Sequence, residues 1–475
     1  MNRSDLRHIL ILLLLAVAVQ GAAILGIARL RGSGTSYAFR SRDSGEYVAL
    51  ARGIARLGRY VPVDENGTIT GPADTWRVPG YPAFLALAMW VAGDSPSVLL
   101  LWQQVMALAA APLLYGLVRS FTSSRGALIA AIAWIADPFR LYHSQWLLAE
   151  TLFGVVMLAG LWTWARGVKH GWSIRRAGVL GGWAGLALMV RPIGIVLPPL
   201  AWLAVIGGAR REPLRRIALL GMVSIASSGL IVGPWLARNH GITGRWALSH
   251  QSGASFAYHK VVDVLLWADG RHDRRFDAAV LDEVRAGIDR RLQEKWEEAY
   301  GPLSAEQRQA LRWEHLNFGE APGVDPFAAS SLLWAVGLDL LAEHQVATVS
   351  CFGVQGLSML VFPLGLVLDP PAGSEAAPLS LLGGGSGTGR MVAGAIGAGY
   401  ALLVLTAATR VAGAMRGRRW PGHLWTLLPA AGLFVLTLPF EDPRFRLPLV
   451  PILWLVAVVS CRTDETCSEA QGRLK

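Results

Sequence analysis

"HILILLLLAVAVQGAAILGIARL", residues 8–30, carries one polar side chain, Gln20, between His8 and Arg29. A run of this length is enough to cross the roughly 30 Å hydrocarbon core of a bilayer as a helix. Asn2, Arg3 and Arg7 precede it as they would a secretory signal, but the run is long and Gln20-Gly21-Ala22-Ala23 is a poor cleavage site, so it reads as a retained first helix. Comparable runs recur at 97–118, 126–145, 146–165, 177–208, 217–237, 347–368, 390–411, 420–439 and 446–461. With 475 residues, 53% of them hydrophobic and 16% charged, the chain reads as an all-α polytopic membrane protein of about ten transmembrane helices with external amphipathic helices.

The net charge of +11 does not point to nucleic acid, because the arginines cluster in short loops rather than forming a basic stripe interleaved with aromatics. Cys351, Cys461 and Cys467 form neither a disulfide framework nor a zinc-ligand spacing. The loop arginines instead report orientation. Arg3 and Arg7; Arg119 and Arg125; Arg166, Lys169, Arg175 and Arg176; and Arg210, Arg211, Arg215 and Arg216 mark alternate loops as cytoplasmic. For the alternation to hold, 177–208 must turn back once. "LMVRPIGIV" supplies the turn, since Arg191 is costly in hydrocarbon and Pro192 breaks a helix.

The basic loop at 410–419 is cytoplasmic by the same rule only if 347–368 dips into the outer face without crossing. Three regions follow: an N-terminal transmembrane module, 1–237, whose first external loop is 31–95; an external helical region, 238–389, containing the interfacial segment 347–368; and a C-terminal transmembrane part, 390–475. Both termini are then cytoplasmic, in a plasma or inner membrane. In the external region Val280, Val284, Ile288, Leu292 and Trp296 recur every fourth residue among charges, which predicts an amphipathic helix. Ser304 with Gln307 predicts a capping box opening the next helix. By itself this region reads as a solvated helical lid.

Nearly every charge left unexplained by cytoplasmic loops or this lid falls on the outer side: Asp43, Glu46, Arg77, Asp137, Arg140, Glu150, Arg191, Arg238, Glu441, Asp442, Arg444 and Arg446. Their convergence suggests a site at a membrane surface. Arginine matches phosphate oxygens bidentately, and a carboxylate can remove a proton or hold a divalent metal. A lipid-linked phosphosugar suits both groups, with its tail in the bilayer and its head at the loops. "SRDSGEYVALARGIARLGRY", residues 41–60, adds a helix expected to lie on the membrane through Val48, Leu50, Ile54 and Leu57.

Taken in order, "RDSGEYVALARGIARLGRY", "WRVPGYPAFLAL", "LLAETLF", "LMVRPIGIVL", "GPWLARNHGITGRWAL" and "EDPRFRLPLVPILWL" resemble the GT-C glycosyltransferases, in particular the branch of the protein O-mannosyltransferases and the lipid A aminoarabinose transferase. The resemblance runs from residue 43 to about residue 455. It implies an integral-membrane enzyme of the cell envelope that takes a sugar from a polyprenyl-phosphate donor and passes it, on the outer face, to a lipid, polysaccharide or protein acceptor. Asp43 would be the catalytic base or metal-associated acid, and Arg77, Arg191, Arg238 and Arg444 would bind the donor phosphate. Glu46, Tyr81, Glu150, Glu441 and Arg446 would support them. No cofactor is required by this reading, although Asp43 and Glu150 are candidates for holding magnesium or manganese. The chain departs from the O-mannosyltransferases in lacking a second acid directly beside Asp43. A transporter or flippase of a lipid-linked precursor is the alternative; it calls for polar residues at mid-membrane and an internal repeat, neither of which the sequence displays.

Overall fold

The computed structural model describes residues 3–31, 42–209, 212–274, 277–316 and 323–352. The C-terminal transmembrane part, most of the segment 347–368, and Glu441, Arg444 and Arg446 lie outside the described residues. Among those described the structure is helical, the one strand-like pairing being an isolated bridge between Val63 and Ile69.

Helix α1, Arg3–Arg31, spans the predicted first run. Asp5 in its first turn accepts hydrogen bonds from the Tyr115 hydroxyl at 2.8 Å and Arg119 Nε at 3.2 Å, so the arginine-bearing ends of two predicted spans meet at one end of the bundle. Then come α2, Arg42–Leu57, and α3, Gly80–Ala92. The run at 97–118 forms α4, Pro96–Leu108, and α5, Ala110–Arg119. Beyond it the predicted run 126–145 is interrupted: α6 is Ser124–Ile135, and after Asp137 a short α7, Pro138–His143, leads into a loop. Arg140 causes the break to hold. Its guanidinium donates to the carbonyls of Trp134 and Ile135, closing the end of α6, and stacks over the Trp134 ring at 4.6 Å.

The next elements are α8, Ala149–His170, α9, Ile174–Val190, and α10, Leu197–Gly208. Between α9 and α10 the chain reverses as predicted: Arg191 is extended and Pro192 opens a 3-10 turn to Val196. Helix α11, Leu214–Thr243, packs on α9 closely enough that a Cβ at Gly181 would meet the Ser224 carbonyl oxygen at 2.0 Å. Ser228 Oγ donates to the Gly181 carbonyl across the same seam. Small residues permit this backbone approach, which raises dispersion contact where lipid supplies no hydrophobic drive. Five described helices are long and apolar enough to cross a membrane: Arg3–Gly26, Pro96–Arg119, Ala149–His170, Leu214–Thr243 and Pro326–Glu343. The chain is a membrane protein.

Past α11 lie α12, Gln251–Ser255, and α13, Val262–Ala268, joined by a π-helical turn. They are followed by α14, Ala278–Tyr300, α15, Ala305–Ala310, α16, Trp313–Leu316, and α17, Pro326–Glu343. Val280, Val284, Ile288, Leu292 and Trp296 all point into a second hydrophobic core, and Ser304 and Gln307 form the predicted capping box. The apolar length of α17 was not among the predicted spans. It packs along α12 and α14, and its charges pair with α14 through Arg291–Glu343 at 2.6 Å and Lys295–Asp339 at 2.9 Å.

One prediction about α2 is corrected. Val48 and Leu50 are buried inside the protein rather than presented to lipid, Val48 in one core with Tyr81, Leu85 and Ala86 of α3; Leu57 is exposed. Trp76, 5% exposed, leaves the loop after α2 and joins the second core, stacking edge-on with His250 at 5.1 Å between centroids. Removing a buried indole leaves a large cavity, so Trp76→Ala should cost about 3–5 kcal/mol. The loss is measured as a fall in the midpoint of thermal unfolding in detergent; an unchanged midpoint would show that the loop is not anchored there.

Candidate active site

Asp43 lies in the first turn of α2, and Glu46 and Tyr47 follow three and four residues later on the same face. The loop returning from α2 brings Arg77 back to them. Asp74 Oδ1 accepts the backbone N–H groups of Trp76 at 3.1 Å and Arg77 at 2.8 Å, a local turn that sets the direction of the Arg77 side chain. The Arg77 residue is 8% exposed. Its Nη2 donates to Asp43 Oδ1 and to Glu46 Oε2, both at 2.7 Å, and its Nε donates to Glu46 Oε2 at 3.0 Å. Nη1 makes no hydrogen bond among the described residues. Arg42 also reaches Glu46, at 3.3 Å.

A second ion pair stands nearby. Glu150, in the first turn of α8, is buried and receives Arg191 Nη1 at 2.8 Å. Both residues are where helices end. Gly80 brings α3 to the same place, since a Cβ there would meet the Met189 carbonyl oxygen at 2.6 Å. Tyr47 lies between the two pairs: the Arg77 guanidinium carbon is 5.2 Å from its ring centroid, and Tyr81 meets it edge-on at 4.9 Å. Burial raises the Tyr47 phenol above its ordinary range, and its proton is further affected by Arg77, Asp43, Glu150 and Arg191 together. It therefore remains a neutral hydroxyl at physiological pH.

The other predicted residues are placed as follows. Arg238 Nη1 donates to the Asp74 carbonyl at 2.7 Å and to Asn239 Oδ1 at 2.8 Å, and its guanidinium sits against the rings of Trp235 and Tyr60. It holds the backbone that carries Arg77. Tyr60 does the same from the other side, donating to the Arg77 and Val78 carbonyls at 3.2 Å. Tyr81 is fully buried and donates to Gln103 Oε1 at 2.5 Å. Asp137 and Arg140 are buried in the bend after α6, where they serve the fold. Among the described residues no group of three or more His, Cys, Asp or Glu is placed to hold a metal ion, and Asp43 and Glu150 each face a guanidinium.

Sequence reasoning missed Asp74, Tyr60 and Tyr47. Asp74 could have been found from "ADTWR", an Asp placed to cap the two following amides. Burial pushes its carboxyl up to about 6. His250 is the opposite case: buried between Trp76 and Phe327 beside Thr75, it is pushed down by burial to about 4. In the native state it therefore binds fewer protons than the unfolded chain between about pH 6.5 and 4. Its contribution, up to about 3 kcal/mol, is lost as pH falls through that window. Asp74 acts with the reverse sign between its ordinary value and about 6, so the check is a comparison with His250→Asn. Wild type should lose more thermal stability than the variant between pH 7 and 4.5; equal losses would contradict the assignment.

Residues 76–235 match the family described as dolichyl-phosphate-mannose-protein mannosyltransferase. The matched stretch contains Arg77, Tyr81, Glu150 and Arg191. Among solved structures, ArnT from Cupriavidus metallidurans bound to undecaprenyl phosphate is similar, at 13% identity and a TM-score of 0.41 over 95% of this chain and 76% of that one. The oligosaccharyltransferase AglB from Archaeoglobus fulgidus, in complex with an inhibitory peptide and a dolichol-phosphate, is similar at 16% identity and a TM-score of 0.46 over 97% of this chain. The alignment spans 51% of AglB, about half its length. No curated protein matches the sequence.

Proposed function

We propose that the protein moves a sugar from a polyprenyl-phosphate donor to an acceptor on the outer face of the cell membrane, at the site between the Asp43–Arg77 and Glu150–Arg191 pairs. The observation that carries the reading is Arg77: a nearly buried guanidinium that orients two carboxylates through Nε and Nη2 and keeps Nη1 for a further anion. Asp43 takes the proton of the acceptor hydroxyl or amine as that atom attacks the anomeric carbon. The bond from that carbon to the phosphate oxygen breaks, and its electrons pass to the phosphate. Displacement in one step inverts the anomeric centre. Arg77 and Arg191 meet the charge that develops on the departing phosphate, which stabilises the transition state more than the ground state. Glu46 holds Arg77 in place, and Arg238 acts by fixing the loop; Arg444 is carried as a further phosphate ligand.

The isoprenoid tail has a suitable neighbour. A half-open groove between α8, α9 and α10 is lined by apolar side chains, among them Val156, Trp164, Trp183 and Leu200. Ala187 and Leu197, which also line it, flank Arg191 in sequence. A phosphate at Arg191 and a chain in this cleft would satisfy both halves of the donor. The test is polyprenyl phosphate binding to the purified protein in nanodiscs. Saturable binding weakened about tenfold or more by Arg191→Met is expected; equal binding of the unphosphorylated polyprenol would sink the reading.

A further inference from the structure

Gln103 lies in the middle of α4, a mostly apolar helix in which Gln104 follows it, and is 0% exposed. All of its amide is engaged. Nε2 donates to the carbonyls of Ser144 at 2.8 Å and Trp146 at 2.7 Å, and Oε1 accepts from the Tyr81 hydroxyl at 2.5 Å. The two carbonyls belong to the loop that runs into α8, four residues before Glu150 at the nearer one. The phenol belongs to the second residue of α3, whose ring leans on Tyr47 beneath Arg77. One side chain therefore touches the supports of both ion pairs.

We infer that Gln103 is a positioning residue that sets the spacing of the Asp43–Arg77 pair from the Glu150–Arg191 pair. Its orientation has no alternative, because turning the amide over would aim Oε1 at two carbonyl oxygens that offer it no hydrogen. A buried amide whose bonds are all made resists rotation, since any departure strands polar groups away from water. Neighbouring amides reinforce the loop end: Gln104 Nε2 also donates to the Ser144 carbonyl at 2.7 Å, and Gln20 Nε2 reaches Ser144 Oγ at 3.0 Å. The chain of contacts thus runs from Arg77 through Tyr47, Tyr81 and Gln103 to the start of α8. A glutamine that merely satisfied the loop would do so without Tyr81.

The inference rests on the transferase reading for its catalytic consequence, but not for its geometry, and the experiment separates the two. Amide hydrogen exchange is measured in nanodiscs for wild type, Tyr81→Phe, Gln103→Leu and the double variant, alongside kcat and KM for a labelled polyprenyl-phosphate sugar. Tyr81→Phe removes one oxygen and keeps the ring, so it remains informative if Gln103→Leu does not fold. Faster exchange is expected both at 144–150 and at the start of α2 in Tyr81→Phe, with kcat reduced about tenfold and KM within about twofold. The double variant should lose no more than the worse single one. Tyr81→Phe with wild-type exchange at both places, or losses that multiply in the double variant, would overturn the coupling. If wild type transfers no sugar while Tyr81→Phe still speeds exchange at both places, the coupling stands and the transferase reading fails.

Discussion

Replacing Arg77 with methionine is expected to lower sugar transfer by about 10²–10³-fold, the usual consequence of removing one preformed donor from a developing oxyanion. The structural cost arrives with it. Asp43 and Glu46 both hold Arg77 at 2.7 Å, and without it two carboxylates one helical turn apart lose the guanidinium that bridges them. Breaking a buried pair by removing one partner costs about 3–5 kcal/mol; the low end applies here because the Asp43 side chain keeps 34% of its exposure. Arg77→Lys is expected to fail as well, because a single ammonium cannot serve Asp43, Glu46 and a phosphate through a fixed fork. Initial rates and unfolding midpoints of the two variants check this, and full activity in Arg77→Lys would contradict it.

Asp43→Asn should separate chemistry from binding. The amide oxygen can still accept Arg77 Nη2, so thermal stability should stay within about 1 kcal/mol of wild type. What is lost is the ability to take a proton, which in general base catalysis is worth about 10²–10⁴-fold in rate. Binding of polyprenyl phosphate should be retained or strengthened, since one negative charge is removed beside Arg77. A variant that bound poorly and turned over normally would assign Asp43 to the donor head and take the base role from it.

The fold was legible where one physical term dominated. Apolar length gave α1, the α4–α5 run, α8 and α11 but not α17, the every-fourth-residue pattern gave α14, Ser304 and Gln307 gave a cap, and Arg191-Pro192 gave the reversal after α9. It was less legible where packing competed with pattern. Val48 and Leu50 suited a lipid-facing helix equally well, and only tertiary packing, for Val48 the position of α3, decides that they are buried. The 126–145 run looked continuous because Arg140 can close a helix from within the bend.

At the site, sequence singled out Asp43, Glu46, Arg77, Tyr81, Glu150 and Arg191, and the structure gathers these around Tyr47. Their pairing was not legible, because Arg77 is 34 residues from Asp43 and Arg191 is 41 from Glu150 in sequence, and no local rule joins them. Nor was the second tier. Gln103 and Gln104 interrupt an apolar run with nothing in the sequence to say what they bond, until Tyr81 and the loop at 144–146 are seen to share Gln103.

Transfer of sugar from a lipid phosphate at this site is directly measurable. It is tested most directly with purified protein in nanodiscs and polyprenyl-phosphate sugars labelled in the sugar, following label out of the donor lipid in the presence of membrane-extracted lipid, polysaccharide and protein acceptors. Time-dependent movement of label into one acceptor class is expected with wild type and none above background with Asp43→Asn. Label that stays on the donor across the panel, while the intact lipid crosses from one leaflet to the other, would contradict it.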